Sequence, residues 1–276
     1  MTHSASAAPS LTVYVEGVGL LGPGLTGWAP GRELLAGSTP YEAARCVLPL
    51  PMALPPAERR RAGAVVKVSL AVGQEALTAS GLSAAGLPSV FSSSSGDAIN
   101  CHEICSALAS SDRLISPTRF HNSVHNASSG YWSISSGSMA TSSVLCAHDG
   151  SFAAGLLEAM AQAAVDQTAV LLVAYDTDYP EPLHSVRPLP DSFGVALVLT
   201  PQRSERSLAR WTLAPATCLT GASATAMADS ALEQLRASIP AARCLPLLRS
   251  VATQEAGSIV IDYLDDLQLA VQVEPC

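Results

Sequence analysis

The sequence is poor in charge and almost lacks lysine. Charged residues make up only 14% of its 276 residues, and Lys67 is the single lysine. The formal net charge is −8 at pH 7, and the isoelectric point is about 5.2. Nucleic-acid binding needs a basic face that neutralises phosphates. Since Arg59-Arg60-Arg61 is the one basic cluster in the sequence, we expect no nucleic-acid partner.

The chain also lacks the patterns of secreted and membrane proteins. The first ten residues contain no basic region followed by an apolar core, so they do not resemble a secretory signal. The apolar stretch 153–175 is interrupted by Glu158 and Asp166, which predicts a helix, a turn and a buried strand. Seven cysteines without regular spacing do not indicate a disulfide framework. We therefore expect a cytoplasmic protein with reduced thiols and no membrane span.

Apolar residues, in contrast, are abundant. They make up 48% of the chain, and the mean hydropathy is +0.29. This composition excludes disorder for most of the chain and predicts a sizeable core, with a subunit interface as a further place to bury apolar surface. Residues 1–10, rich in serine and alanine, are predicted to be a mobile tail.

Hydrophobic periodicity predicts strands that alternate with helices, which is typical of the α/β class. Residues 117–130 are predicted to form a helix that begins at Pro117 and is followed by a turn at Gly130. The other predicted helices cover residues 30–36, 57–80, 99–108, 152–162, 224–237 and 241–251. The predicted strands cover residues 11–15, 90–91, 142–145, 169–175, 195–199 and 211–218, with a final hairpin around Asp265-Asp266.

Two patterns suggest a bound group, and each has a simpler explanation. The glycines of GVGLLGPG (residues 17–24) lack the G-x-G-x-x-G spacing of a dinucleotide loop, so a structural turn is favoured. Cys101, Cys105, His121 and His125 have zinc-like spacing, but no zinc-finger signature surrounds them. We favour packed or surface roles for these four residues and predict neither a cofactor nor a metal.

Cys146 ends a predicted strand just before an apolar helix. A helix N-terminus lowers a thiol pKa, so a nucleophilic cysteine would be placed here. His148 and Asp149 follow closely in sequence, although such neighbours need not converge in space. The pattern is compatible with a nucleophile and also with a buried structural thiol.

The order of several segments is more specific than any of these motifs. VYVEGVG and GRELLAG open the chain, and AVLLVAYD and SVRPLPDSFGVALVLTP follow the helix after Cys146. Asn126, Gly130, Ser133 and Ile134 match the pattern N-x-x-x-G-x-x-S-I. Over residues 11–200 this order resembles the N-terminal half of β-ketoacyl-acyl-carrier-protein synthases, which have the thiolase fold.

Two departures from this family bear on function. Active synthases have a second half with two catalytic histidines, whereas no histidine follows residue 210 here. The nucleophile position is also degenerate, because alignment from Gly155 backward places it near Ala147 and alignment from Ile134 forward places it near Asp149. The chain therefore resembles the chain-length-factor-type subunits of aryl polyene and xanthomonadin-type pigment clusters.

The resemblance implies an architecture and a partner. The expected fold is a half-thiolase, a layered αβα mixed sheet over residues 11–200, with residues 201–276 as a short α+β remnant packed on the same domain. The expected function is that of a non-catalytic partner of a full-length β-ketoacyl-acyl-carrier-protein synthase, shaping the tunnel for the acyl or polyene chain. The acyl carrier protein would bind through the partner, or at a local patch such as Arg59–Arg61.

The resemblance also implies site residues. The degenerate elbow comprises Cys146, Ala147, His148 and Asp149. Phe120 would either shape the partner's pocket or belong to its own helix core. The alternative function is an acyl transferase or thioesterase-like enzyme with Cys146 as nucleophile and His148, His121 or His125 as base. Residues implied at the interface or tunnel are Phe120, His121, Val124, Ser142, Ser143, Val144 and Leu145.

Overall fold

The computed structural model describes residues 10–213 and 218–276, so nearly all of the predicted tail lies outside the described residues. The strands in the described ranges are β1 Leu11–Leu21, β2 Ser89–Ser92, β3 Ser142–Leu145, β4 Val170–Asp176, β5 Phe193–Thr200, β6 Ala209–Leu213, β7 Cys218–Thr220, β8 Gly257–Asp262 and β9 Leu267–Pro275.

Helices connect these strands and cover both faces of the sheet. Within the same ranges they are α1 Trp28–Leu35, α2 Pro56–Arg61, α3 Ala64–Ser80, α4 Ala98–Ala109, α5 Pro117–His121, α6 Ala127–Ser136, α7 Ser151–Asp166, α8 Leu183–Val186, α9 Ser230–Ser238 and α10 Leu245–Thr253. Among the described residues, no helix combines the length and apolar character needed to cross a membrane.

All the described strands form one mixed sheet in the order β3-β2-β4-β5-β1-β6-β9-β7, with β8 paired to β9. Strands β3, β2 and β4 are parallel to one another, and the pairs from β4 through β5, β1 and β6 to β9 are antiparallel. Strands β6, β8 and β9 come from residues 201–276 and continue this sheet, while the predicted boundary at residue 200 stays a prediction. The predicted α/β class with a mixed sheet is confirmed.

Two hydrophobic cores lie on opposite faces of the sheet. Every residue of β4 and β5 is buried, and successive side chains of a strand point to opposite faces. Leu171 and Val173 accordingly join the core beneath α3 and α6, whereas Leu172 and Ala174 join the core beneath α7 and α10. Strands covered on both sides have continuous apolar sequences, which is why these two were predictable.

The glycine-rich segment is a packing device and only partly a turn. Gly17 and Gly19 lie within β1, and a β-carbon on them would come within 2.1 Å of the Ala76 carbonyl oxygen and 2.0 Å of that of Val72. Both carbonyls belong to α3, which therefore approaches the sheet closely only because these positions lack side chains. The expected turn is confined to residues 22–25, where Gly22 and Leu25 exchange backbone hydrogen bonds.

Three predicted helices differ from the observed ones. The predicted helix 57–80 divides into α2 and α3, because Ala62 adopts extended backbone with ψ at 113°. Gly130 lies inside α6, so the predicted turn at this position was wrong. The predicted helix 224–237 begins only at Ser230, where the Asp229 carboxylate accepts hydrogen bonds from two backbone amides of the first turn.

Candidate functional site

The carboxyl ends of β2, β3 and β4 meet at one edge of the sheet. Parallel strands present their carboxyl ends on the same side, where α/β proteins commonly place binding sites. Residues 93–95 follow β2, residues 146–149 follow β3, and residues 176–179 begin at the last residue of β4; these three segments form hydrogen bonds with one another. The predicted elbow therefore belongs to a cluster of polar groups from three strands.

His148 occupies the apex of the bend after β3. A 3₁₀ turn over His148–Gly150 joins the strand to α7. His148 has φ at 48°, in the left-handed region that is uncommon for residues other than glycine. Its side chain is 71% exposed. The sequence alignments placed the nucleophile position on either side of this residue, at Ala147 or Asp149, and the backbone assigns the apex to the histidine between them.

Cys146 lies two residues before this apex with an exposed thiol, so the prediction of a buried structural thiol was wrong. Its Sγ donates a hydrogen bond to the Ser94 carbonyl oxygen at 3.0 Å. No histidine among the described residues accepts a hydrogen bond from it, and His148 Nδ1 instead lies 3.5 Å from Asp149 Oδ1. Because a cysteine nucleophile needs a base within hydrogen-bond reach, this arrangement does not support the acyl transferase alternative.

Asp149 is held by two arginines that are distant in sequence. Arg187 Nη2 lies 2.6 Å from Asp149 Oδ1, and Arg243 Nη2 lies 3.2 Å from Asp149 Oδ2. Arg243 also pairs with Asp262 at 3.4 Å, so the ion pairs reach from the bend to the end of β8. Sequence reasoning missed both arginines, since they lie 38 and 94 residues from Asp149.

Two backbone amides of the bend, those of Ala147 and Gly150, are already hydrogen-bonded within the chain. The Ala147 N–H donates to Ser151 Oγ at 3.0 Å, and the Gly150 N–H donates to the Ala147 carbonyl oxygen at 2.8 Å. A β-carbon at Gly150 would lie 1.9 Å from the Tyr263 carbonyl oxygen, so the β8–β9 connection lies directly against the bend. An oxyanion hole needs N–H groups free to meet a developing charge. Neither of these two amides is free to do so.

Asp176 anchors the floor of this cluster. Its buried carboxylate accepts hydrogen bonds from the Ser94 N–H at 2.8 Å, the Ser94 hydroxyl at 2.6 Å and the Ala241 N–H at 2.9 Å. Burial raises the pKa of Asp176, and these hydrogen bonds act in the opposite direction. The carboxylate thus joins the end of β2 to the segment before α10, which is a structural role.

The four residues with zinc-like spacing are divided among α4, the end of α5 and the connection between α5 and α6. Cys101 and Cys105 are exposed on α4, and His121 is exposed at the end of α5. His125 is half-buried with its ring near Gly96, and burial lowers its pKa. Over the two described ranges, no group of three or more metal-binding side chains is arranged to hold an ion. The preference for surface and packed roles agrees with these positions.

Four of the seven residues implied at an interface are exposed at the surface, and the other three are half-buried. Phe120 is 68% exposed and Val124 is 52% exposed, so the alternative that Phe120 belongs to its own helix core was wrong. Ser142 and His121 are exposed, whereas Ser143, Val144 and Leu145 are half-buried. Contact between these residues and a partner subunit stays a prediction.

The sequence matches a family model described as the β-ketoacyl synthase N-terminal domain over residues 37–256. The chain belongs to this family. The match extends past the predicted limit at residue 200 and includes β6, β7 and the whole segment leading to β8. Membership in the β-ketoacyl synthase family confirms the family resemblance that the sequence predicted, while the alignment of residues 126–134 and of the bend with the family motifs stays a prediction. No curated protein matches the sequence.

Solved structures of β-ketoacyl synthase relatives share the fold. A chain of the complex between the ketosynthase ApeO and its chain length factor ApeC from Xenorhabdus doucetiae has a TM-score of 0.70 and 20% identity, covering 95% of this chain and 99% of that chain. The ishigamide ketosynthase/chain length factor has a TM-score of 0.71 and 13% identity, and the match covers 96% of this chain and 99% of that chain. A β-ketoacyl synthase from Burkholderia phymatum STM815 has a TM-score of 0.59 and 15% identity, and the match covers 87% of this chain and 70% of that chain.

Proposed function

We propose that the chain is a cytoplasmic, non-catalytic, chain-length-factor-like partner of a full-length β-ketoacyl-acyl-carrier-protein synthase. In this role it would help to set the length of an acyl or polyene chain. The observation that carries the proposal is the open edge of β3 beside a bend in which the amides of Ala147 and Gly150 already have partners. Two structural relatives are described as ketosynthases with chain length factors, which supports this choice among functions of the fold.

Strand β3 has the features of a strand that pairs with another chain. It pairs through Ser142–Leu145 with β2 on one side and ends the sheet on the other. Edge strands that must stay unpaired usually carry charges, proline or a bulge, and the sequence SSVL contains no charge and no proline. Within the described ranges no further strand pairs with this edge, so its N–H and C=O groups are available to a strand of a partner.

Exposed apolar side chains precede this edge in the chain. Met139 is 94% exposed just before β3, and Phe120 lies on α5 in the same segment. Apolar surface of this kind costs free energy in water and marks protein interaction sites. The exposed large apolar side chains between residues 99 and 139 are Ile99, Leu108, Leu114, Phe120, Val124, Ile134 and Met139.

The bend itself supports a role without turnover. Cys146 has no hydrogen-bonded base, and the amides of Ala147 and Gly150 have partners within the chain. Covalent acyl transfer needs an activated nucleophile and donors for the oxyanion. We therefore assign the chemistry of the complex to the synthase.

The arginine cluster contributes little as a docking patch for an acidic acyl carrier protein. Arg59 donates to the carbonyl oxygens of Met52 and Leu54, and Arg61 pairs with Glu58 at 3.0 Å. Of the three, only Arg60 has no ion pair or side-chain hydrogen bond within the part of the chain that the structure describes. The carrier would accordingly bind mainly through the partner synthase.

The test is coexpression of this chain with a candidate synthase from the same genome, followed by light scattering and an acyl-extension assay. We expect a 1:1 complex that extends carrier-bound substrate, with Cys146→Ala leaving both the complex and its activity unchanged. A chain that stays monomeric or homodimeric beside the synthase would contradict the partner role. Loss of activity in Cys146→Ala with an intact complex would instead favour the enzyme alternative.

A further inference from the structure

An apolar groove lies on the outer side of α3, away from the bend. It has a volume of 580 Å³ and is formed by the segment 49–53 and the face of α3 that carries Leu70 and Ala71. Leu50 and Met52 form the rim and are 64% and 65% exposed. Pockets of about 300–1,000 Å³ with mostly apolar walls and a few polar groups are typical of small-molecule sites.

Lys67, the single lysine of the chain, lines this groove. Among the described residues, its ammonium group forms no ion pair and no hydrogen bond. Lys67 as a whole is half-buried, so an anion that reaches it along the apolar walls would be attracted more strongly than at a fully open surface.

Glu75 is the acidic residue in the wall, and its charge is directed into the protein. Its Oε2 accepts from the Leu20 N–H at 2.9 Å, and its Oε1 accepts from the Trp28 N–H at 2.6 Å. Glu75 lies eight residues after Lys67, about 12 Å further along the helix at 1.5 Å per residue. The groove thus has a free cation towards one end, apolar walls between, and a carboxylate that is already hydrogen-bonded towards the other.

We propose that this groove binds a medium- or long-chain carboxylate, with the head group at Lys67 and the chain along Leu70 and Ala71. The carboxylate would satisfy the free ammonium, and the hydrocarbon tail would cover the apolar walls and the exposed rim at Leu50 and Met52. The flexible side chain of Met52 can adapt to tails of different length. This assignment is independent of the role in a synthase complex.

The single lysine makes the test direct. Reductive ¹³C-methylation labels only Lys67 and the chain's amino terminus, and the Lys67 signal is followed by NMR during titration with decanoate. We expect a saturable shift at 1:1 stoichiometry. Decanol, with the same tail and no charge, should bind about tenfold more weakly. In Lys67→Met, followed by calorimetry, decanoate should lose this advantage over decanol.

Two further variants separate the groove from the charge. Ala71→Phe and Thr78→Phe each fill part of the groove and should abolish binding, with melting temperature reporting that the chain is folded. Arg32→Met removes an exposed cation outside the groove and should leave binding unchanged. Absence of a saturable shift, or equal binding of decanoate and decanol, would overturn the proposal. The proposal would also be overturned if the unmodified chain did not bind decanoate and the groove-filling variants changed the oligomeric state. The groove would then be an interface between protein chains.

Discussion

The two ends of the sheet differ in how well they are shielded from water. At the β3 end, residues 99–139 expose seven large apolar side chains. At the other end, the described residues from Ala209 onward expose only Leu264, at 39%. Leu269, Val271 and Val273 of β9 are buried in the core that α9 and α10 also line. Within the described residues, one end of the same sheet is covered by the chain itself, whereas the other leaves its large apolar side chains exposed to water.

The two ends of the sheet also differ at the polar cluster beside the carboxyl ends of β2, β3 and β4. Residues of the C-terminal segment contact the bend: Arg243 pairs with both Asp149 and Asp262, and the carbonyl of Tyr263 lies against Gly150. The C-terminal segment therefore holds the bend in place while β3, one residue earlier, stays open. A fixed bend beside an open strand is suited to binding a partner and poorly suited to turnover.

Charged substitutions in the exposed apolar segment at the β3 end should give the largest effect, a loss of affinity for the synthase. We expect Phe120→Asp combined with Met139→Asp to weaken the complex with the synthase at least about 100-fold, because two charges would be buried in an apolar contact. The isolated chain should keep its melting temperature, since both side chains are exposed. Surface plasmon resonance measures the affinity.

The matched control for this double variant is Val47→Asp, which changes a valine that is 79% exposed in the connection before α2. It should leave the affinity for the synthase unchanged. Equal weakening by Val47→Asp, or no weakening by the double variant, would mean that the segment from Phe120 to Met139 is not the contact surface.

The second largest effect is expected from a substitution that disturbs the bend after β3. Gly150→Ala would place a β-carbon 1.9 Å from the Tyr263 carbonyl oxygen, so the β8–β9 connection must move. We expect a loss of about 2 kcal/mol in the free energy of unfolding, measured with urea. Gly257→Ala in β8 has no atom within 4 Å of the new β-carbon and serves as the control. A variant at Gly150 as stable as this control would show that the connection is loosely placed.

A smaller effect is expected at the ion pairs. Arg243→Met removes a half-buried partner of Asp149 and Asp262, although Arg187 still pairs with Asp149. Because the carboxylates are 47% and 36% exposed, solvent screening limits the loss to about 1 kcal/mol in urea denaturation. Arg210→Met breaks an exposed pair with Glu274 and should change stability by less than about 0.5 kcal/mol. Equal losses in the two variants would contradict a special role for Arg243.

The smallest effect is expected at the exposed thiol. Cys146→Ala removes one weak S–H···O hydrogen bond to Ser94 and should cost less than about 1 kcal/mol. Thermal unfolding measures this change, and alkylation with iodoacetamide checks the exposure of the thiol in the unmodified chain. A loss of several kcal/mol would mean that Cys146 is packed inside the bend.

The sequence predicted the central elements well and the surface poorly. The bounds of β3 were predicted correctly at residues 142–145, and β4 and β5 were found from their continuous apolar runs. Periodicity continues through Ala62 and Gly63, so the break between α2 and α3 was missed. The contacts of Asp149 with Arg187 and Arg243 depend on folding over 38 and 94 residues, a separation that no local pattern reports. Periodicity also cannot tell a core face from a partner face, which is why the exposure of Phe120 needed the structure.

Hydrogen–deuterium exchange tests the comparison of the two ends most directly. Backbone amides of β3 and of β8 are followed by mass spectrometry in the free chain and in its complex with the synthase. The account predicts that exchange over residues 142–145 slows in the complex, while exchange over residues 257–262 does not change. Unchanged exchange in β3, or protection confined to β8, would contradict the assignment of the open edge as the partner-binding site.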